Sequence, residues 1–357
     1  MNINLQIAEE LNLNPTYVDN VIQLIDEGNT IPFIARYRKE LHGAMDDTTL
    51  RTLNERLEYL RSLDERRETI VRAITEQGKM TEELAAAIDE AKTLAALEDL
   101  YRPYKQKRRT RATVAKENGL EPLATLLFAQ AADCPDPETT AAAYVDEEKG
   151  VASVEEALQG ASDIIAEIIS DDAEIRSSLR DYINASASLR SVAAKEEDSV
   201  YSQYYDYTER VNKIPGHRIL AINRGEKEGF LKVSVEVDRD AALQRLRRRV
   251  IRPGSPAMMF VRAAADDAYD RLIFPSMERE SRSALTAMAC DGAIKMFAQN
   301  LKPLLMQPPV KGKVTMGLDP GYRNGCKVAV IDGTGKVLDT AVVYPTFSDA
   351  KKEEAIT

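Results

Sequence analysis

The residues best equipped for chemistry in this chain are cations. Between Tyr101 and Lys116 stand Arg102, Lys105, Lys107, Arg108, Arg109, Arg111 and Lys116, with no acidic residue among them. Phosphate recognition needs positive charge gathered over a short length of chain, and arginine adds a planar fork that meets two phosphate oxygens at once. Tyr101 and Tyr104 lie inside the run, where a ring can stack on a base. The same charges also suit ion pairs that bind one helix of an acidic protein to another, so both readings stand. A second run holds Arg245, Arg247, Arg248, Arg249 and Arg252, again with no acid between them. On a helix this spacing circles the axis, so some of these side chains must meet protein while others are left for phosphate.

Other patterns carry less. Ile7 to Leu13, Asn14-Pro15 and Thr16 to Glu27 have the outline of a helix-turn-helix. A DNA-reading second helix presents basic or amide groups to the major groove. This one offers Asp19, Asn20, Gln23, Asp26 and Glu27, more acid than base, which favours a packing motif. Tyr201, Tyr204, Tyr205 and Tyr207 form either a stacking platform or a packed helix face, and the three- and four-residue spacings favour packing. Gly333-Thr334-Gly335-Lys336 lacks the spacing and the following Ser/Thr of a phosphate-binding loop and reads as a hairpin turn. No nucleophile elbow, Cys-x-x-Cys pair or His-Glu-x-x-His helix occurs. His42 and His217 form no ligand cluster, so neither a metal site nor a cofactor is expected. Cys134, Cys290 and Cys326 are far apart and odd in number, which points away from a disulfide framework and toward a reducing cytoplasm.

The elements that must position these groups follow from length and period. A chain of 357 residues predicts two or three domains. Its formal charge of −10 excludes a uniformly basic coating protein but leaves room for local basic patches. The longest uncharged stretch, Pro122 to Ala132, falls short of the ~20 apolar residues of a bilayer span, and MNINLQIAEEL has no basic lead into an apolar run, so no membrane segment or signal peptide is expected. To about Leu189 the apolar period is helical, as in Leu57, Leu60, Leu63, Ile70 and Ile74. Asn14-Pro15, Thr81-Glu82-Glu83 and Ser153 with Glu156 read as helix starts, and residues 133–140 as a break. Beyond Tyr207, His217 to Asn223 and Phe230 to Val237 read as a β-hairpin, followed by helices from about Ala241 to Lys302 interrupted at 252–256. Pro303 and Pro308-Pro309 read as a stiff linker. Val314 to Asp319, Cys326 to Ile331 and Val337 to Tyr344 then read as three strands with Gly-containing turns, opening a domain that is expected to be cut short.

Three passages resemble the bacterial Tex family of transcription accessory proteins: Leu97-Glu98-Asp99-Leu100-Tyr101-Arg102-Pro103-Tyr104-Lys105-Gln106-Lys107-Arg108-Arg109-Thr110-Arg111, Ile31-Pro32-Phe33-Ile34-Ala35-Arg36-Tyr37-Arg38-Lys39-Glu40, and Gly317-Leu318-Asp319-Pro320-Gly321. The resemblance runs along essentially the whole chain. It implies a helical N-terminal region with a helix-turn-helix-like start, then a YqgF domain of ribonuclease-H-like fold, with helix-hairpin-helix modules and an OB-fold RNA-binding domain beyond. It also implies nucleic-acid binding without strong sequence preference. In ribonuclease-H-like nucleases an Asp at the end of the first strand helps hold two metal ions, and Asp319 matches that place. One carboxylate cannot hold two divalent ions, and an Asp capping the Pro-Gly turn is the simpler reading.

The expected fold is therefore mainly α, a multi-helical N-terminal region with a small β-hairpin followed by the opening strands of a ribonuclease-H-like α/β domain. The expected boundaries are a helical region at 1–199, a mixed region at 200–311 and the start of a YqgF domain at 312–357. The expected function is a cytoplasmic, nucleic-acid-binding transcription accessory factor, a scaffold that contacts phosphates through Arg102, Lys105, Lys107, Arg108, Arg109, Arg111, Arg245, Arg247, Arg248 and Arg249. RNA or DNA is the expected partner, with the transcription machinery a further one. Two rivals remain: a resolvase-like, metal-dependent nuclease using Asp319, and a protein-interaction module whose basic residues serve ion pairs.

Overall fold

The computed structural model describes residues 2–106, 109–308, 311–321, 324–346 and 348–356. Lys107 and Arg108 lie outside the described residues. The chain divides into two compact units, Met1–Ala289 and Cys290–Thr357.

Single polar side chains set most helix starts. Asn2 caps α1 (Ile3–Glu10), and Asn14 caps α2 (Pro15–Asp26) with Pro15 as its first residue. The short α3 (Ile31–Tyr37) opens on Ile31-Pro32. Asp46 caps α4 (Asp47–Glu76), Thr81 caps α5 (Glu82–Glu90), Thr93 caps α6 (Leu94–Tyr101) and Thr110 caps α7 (Arg111–Glu117). After α8 (Glu121–Ala129), Asp136 caps α9 (Pro137–Ala141), Ser153 caps α10 (Val154–Asp171) and Asp172 caps α11 (Ala173–Ser186). Each cap accepts a first-turn amide that would otherwise have no intrahelical partner, a contribution of ~1 kcal/mol.

Helix α4 has 30 residues, a length of ~45 Å, and serves two cores in succession. Leu50, Leu53, Leu57 and Leu60 pack with Ile7, Val18, Val21, Ile22 and Ile34. Farther along, Leu63, Ile70 and Ile74 pack with Ile88 and Leu97 of α5 and α6. Arg67 occupies the apolar seam between Leu63 and Ile70, and it is buried. Its guanidinium donates to the carbonyls of Ile88 and Ala91, both at 3.1 Å, and to the Asp64 carboxylate. A cation is tolerated there because it satisfies the carbonyls at the end of α5. The third and largest core surrounds α10, which packs against α7, α8 and α14. Gly160 permits that approach, since a Cβ there would lie 2.3 Å from Leu120 Cδ1 and 3.2 Å from Ala115 Cβ.

The first sheet differs from the expected hairpin. Strand β1 (Ser188–Ala193) is central and pairs antiparallel with both β2 (Asp206–Arg210) and β3 (Leu231–Glu236). The segment 217–223 is not a strand but part of α12 (Gly216–Lys227). Ile219, Ile222 and Gly225 recur at three-residue spacing and form the buried face of that helix. Gly225 is packed too closely for a side chain, as a Cβ would meet Leu231 Cδ1 at 2.6 Å. Residues on both sides of position 199 thus share one sheet. The tyrosine cluster is packing: Tyr201 and Tyr204 are buried, with Tyr201 against Phe230 and Tyr204 edge-on to Tyr207.

Next come α13 (Arg239–Val250), capped by Asp238, and α14 (Met258–Asp267), separated by the Pro- and Gly-containing loop at 251–257. A π-helical turn, Ala268–Ile273, joins α14 to α15 (Phe274–Leu305). Tyr269 in that turn is buried, its hydroxyl has no partner among the described residues, and burial pushes its phenol up to about 12. Pro303, expected in a linker, lies inside α15, where its ring cannot donate to the Gln299 carbonyl and the helix ends two residues later.

The second unit contains β4 (Thr315–Asp319), β5 (Cys326–Ile331) and β6 (Val337–Val343) as an antiparallel meander, followed by α16 (Asp349–Ile356). Asp332 Oδ1 accepts from the amides of Thr334 (2.8 Å) and Lys336 (3.0 Å), which makes the Gly333-Thr334-Gly335 segment the hairpin turn its sequence suggested. The chain is thus mainly helical with two small three-stranded antiparallel sheets. No helix among the described residues is long and apolar enough to cross a membrane.

Candidate nucleic-acid interface

The first basic run follows α6 through a 3-10 turn, Arg102–Tyr104, and continues into α7, whose first residue is Arg111 and whose last turn holds Lys116. Its foundation is a buried ionic cluster. Asp99, on α6, accepts from Arg176 Nε and from Arg180 Nη2 of α11, each at 2.6 Å. Arg176 reaches Ser276 Oγ of α15 at 3.3 Å, and Arg180 also pairs with Glu280 of α15. The side chains of Arg176 and Asp99 are only 2% and 7% exposed. This pins α6 against two other helices and sets where the basic loop begins.

Within the loop the cations divide by exposure. Arg102 is half-buried and donates to Asp171 at 3.2 Å. Desolvation lowers its pKa, the Arg176 charge lowers it further, and Asp171 and Asp99 oppose that shift. Arg102 therefore belongs to the protein side of the loop. Lys105 lies 3.9 Å from Glu98 and is 58% exposed, and Arg109 lies 3.0 Å from Glu117 and is 72% exposed. Surface pairs of this kind contribute ~0–1 kcal/mol and exchange readily for a phosphate. Arg111, the first residue of α7, is exposed and has no ion pair among the described residues. Thr110 anchors the loop end, accepting from the Thr113 amide at 3.0 Å and donating to Glu167 Oε1 at 3.2 Å. Tyr101 and Tyr104 are partly buried against the α4–α6 core, with Arg66 over the Tyr101 ring at 5.5 Å, so both rings already have protein neighbours.

The second run lies on α13, with Arg252 in the loop after it, and, as its spacing demanded, points several ways. Arg247 donates to Asp266 of α14 at 2.8 Å, Arg249 to Glu174 of α11 at 2.7 Å, and Arg245 lies over the Tyr182 ring at 4.1 Å. Arg252 donates to the Ala129 carbonyl at 2.9 Å. Arg248 is exposed and has no hydrogen bond or ion pair among the described residues. Arg262 of α14, which the sequence pattern had not singled out, is in the same state.

The residues that suggested a helix-turn-helix fall in α1 and α2, and the polar groups of α2 are engaged by protein. Asn4 donates to Asp19 at 2.6 Å, Asn20 donates to the Leu41 carbonyl at 3.0 Å, and Arg61 donates to both oxygens of Asp26. Asp319 ends β4 opposite Lys327 and is exposed. Among the described residues no three His, Cys, Asp or Glu side chains are grouped to hold a metal ion. His42 is buried, and neither of its ring nitrogens has a hydrogen-bond partner among the described residues.

Three family models cover most of the sequence. Residues 1–75 match the Tex-like protein N-terminal domain, residues 133–297 the Tex central region-like domain, and residues 313–357 the Tex protein YqgF-like domain. The chain belongs to the Tex family. Both sheets fall inside Tex domains, β1–β3 in the central region and β4–β6 in the YqgF-like domain. The α13 arginines and Arg262 also lie in the Tex central region, whereas the basic loop after α6 lies between two matched domains. The chain is 45% identical over 355 residues to the uncharacterized protein YdcI of Bacillus subtilis, covering 98% of this chain and 49% of that one. It is 42% identical over 354 residues to the transcriptional accessory protein Tex of Neisseria gonorrhoeae, covering 96% and 46% respectively. Human S1 RNA-binding domain-containing protein 1 is 34% identical over 357 residues, 95% of this chain and 35% of that protein. The chain thus spans about half the length of the bacterial relatives it matches. The names of the gonococcal and human relatives speak of transcription accessory and RNA-binding roles in those proteins.

Proposed function

We propose that this chain is the part of a Tex transcription accessory factor that holds nucleic acid by its phosphates, without strong sequence preference, as a scaffold rather than a catalyst. The observation that carries the reading is the loop between α6 and α7. With the α7 residues Arg111 and Lys116 its run gathers seven cations with no acid among them, and of the described members Lys105, Arg109 and Arg111 are exposed with weak ion pairs or none. Lys107 and Arg108 belong to the same basic run in the sequence. Contacts made to phosphates carry no sequence information, which accounts for the expected lack of preference and for a strong salt dependence. The transcription machinery is a proposed partner, in keeping with the accessory role in the name of the gonococcal relative.

The test is an anisotropy titration of labelled RNA and DNA at two salt concentrations with the chain and with a Lys105→Glu, Arg109→Glu, Arg111→Glu variant. Weaker binding with a flatter salt slope supports the reading. An unchanged affinity and slope would mean that the loop serves ion pairing alone. The scaffold part is supported by Asp319 being exposed and, among the described residues, outside any carboxylate group that could hold a metal ion, where two-metal cleavage needs several converging carboxylates. Cleavage of branched or single-stranded DNA with Mg²⁺ or Mn²⁺ that disappears in Asp319→Asn would refute it.

A further inference from the structure

We infer that the cleft between α13 and α14 is a binding site for single-stranded nucleic acid, with Arg248 and Arg262 as its phosphate contacts. The inference rests on the nucleic-acid reading above and adds a site and a strand class to it.

The cleft has a volume of about 590 Å³, and Arg247, Arg248, Ile251, Pro253, Met258 and Arg262 line it. Its electrostatics are one-sided. Three guanidiniums face it, while Arg247 alone is neutralised, by Asp266. Arg248 and Arg262 have no hydrogen bond, ion pair or aromatic ring to occupy them among the described residues. An anion that binds them therefore breaks no existing ion pair, whereas one that binds Lys105 or Arg109 must displace Glu98 or Glu117. The start of α14 adds to the field. Its N-cap is Ala257, and its first turn holds no acid, so no carboxylate offsets the positive end of the helix dipole, while Ser255 accepts from the amides of Ala257 and Met258.

The apolar part of the lining selects the strand class. Ile251, Pro253 and Met258 put hydrocarbon beside the two cations. A duplex turns phosphates outward and keeps its bases stacked within, so it has nothing to place on such a wall. A single strand offers an unstacked base or sugar next to each phosphate. No aromatic ring lines the cleft, so no strong base stacking is available and the site has little basis for choosing among sequences. Replacing either arginine also breaks no hydrogen bond or ion pair found among the described residues.

The experiment titrates the whole chain against a fluorescein-labelled single-stranded RNA, a single-stranded DNA and a blunt DNA duplex at two salt concentrations. It compares the wild type with Arg248→Ala/Arg262→Ala, Arg248→Lys/Arg262→Lys and the basic-loop reversal, with circular dichroism to check that each is folded. For the alanine pair the expected result is single-strand binding weakened on the order of tenfold or more, with the salt slope reduced by about 1.4, two contacts at ~0.7 each. The lysine pair is expected to retain the slope, because it keeps both charges. Unchanged single-strand affinity in the alanine pair, with binding lost in the loop variant, overturns the cleft and leaves the loop reading standing. A loss confined to the duplex overturns it as well. Absence of binding by the wild type overturns both readings.

Discussion

The ionic cluster beneath the basic loop gives a sharp energetic test through Asp99→Ala. In the wild type this carboxylate is almost wholly buried and accepts from Arg176 and Arg180, each at 2.6 Å. With charge centres ~4 Å apart and an effective dielectric of about 20, each attraction is on the order of 4 kcal/mol before desolvation is subtracted. Removing the carboxylate affects its two partners unequally. Arg180 keeps Glu280, but Arg176 is left with only Ser276 Oγ at 3.3 Å, a buried cation with no counter-ion among its remaining bonds. Leaving such a charge uncompensated costs about 3–5 kcal/mol, a large part of the total stability of a typical domain. The converse change, Arg176→Met, is expected to cost less. Asp99 then retains Arg180, and Arg176 Nη1, which has no partner among the described residues, is removed with the charge. Urea unfolding followed by circular dichroism measures both, and hydrogen exchange across 94–101 reports whether α6 loosens. A cost below about 1 kcal/mol for Asp99→Ala, or a larger cost for Arg176→Met, would refute the argument that this carboxylate anchors α6.

Two further outcomes follow from the geometry. Glu10 and Asp26 are held below the usual carboxylate range by hydrogen bonds from Arg56 and Arg61. Because their folded pKa values are depressed, the stabilisation is fully present above the unfolded values near 4 and is lost as pH falls through the folded ones. Amides of α1 and α2 should therefore exchange faster on acidification before those of α10, and Arg56→Gln/Arg61→Gln should weaken that dependence. Among glycines, Gly225→Ala forces a Cβ to 2.6 Å from Leu231 Cδ1 and 3.1 Å from the Tyr201 ring, and should destabilise by about 1–3 kcal/mol. Gly292→Ala, inside α15 with nothing within 4 Å, should stabilise by about 0.5–1 kcal/mol, so thermal melts that show both variants shifted alike would contradict the packing described.

Helix starts at Asn14, Thr81 and Ser153 were legible because a cap and its amide lie within three residues of each other. The last three strands were legible within a residue at each end, since alternation and Gly-containing turns are local as well. Strand β1 was not, because Ser188–Ala193 is a strand by virtue of partners at 206–210 and 231–236. The run Ile219-Leu220-Ala221-Ile222 suits either period, and the helix is decided by the face it buries. The candidate interface divides along the same line. Sequence located the cations of the two runs but not Arg176 or Arg262, and the carboxylates that occupy Arg102, Arg249 and Arg176 stand 69, 75 and 77 residues away. Only folding distinguishes those from Arg111, Arg248 and Arg262.

The Tex N-terminal domain as its family model delimits it ends at residue 75, one residue before α4 does. That border follows ancestry, and the packing does not respect it. A polypeptide cut there keeps all but the last residue of α4 but loses α5 and α6, and with them Ile88, Leu97 and the two carbonyls that receive Arg67. Leu63, Ile70 and Ile74 would then form a bare apolar stripe along half the helix. The smallest autonomous N-terminal piece therefore extends through α6, to the threshold of the basic loop, and the same helix that closes the first core supplies one wall of the platform on which that loop stands.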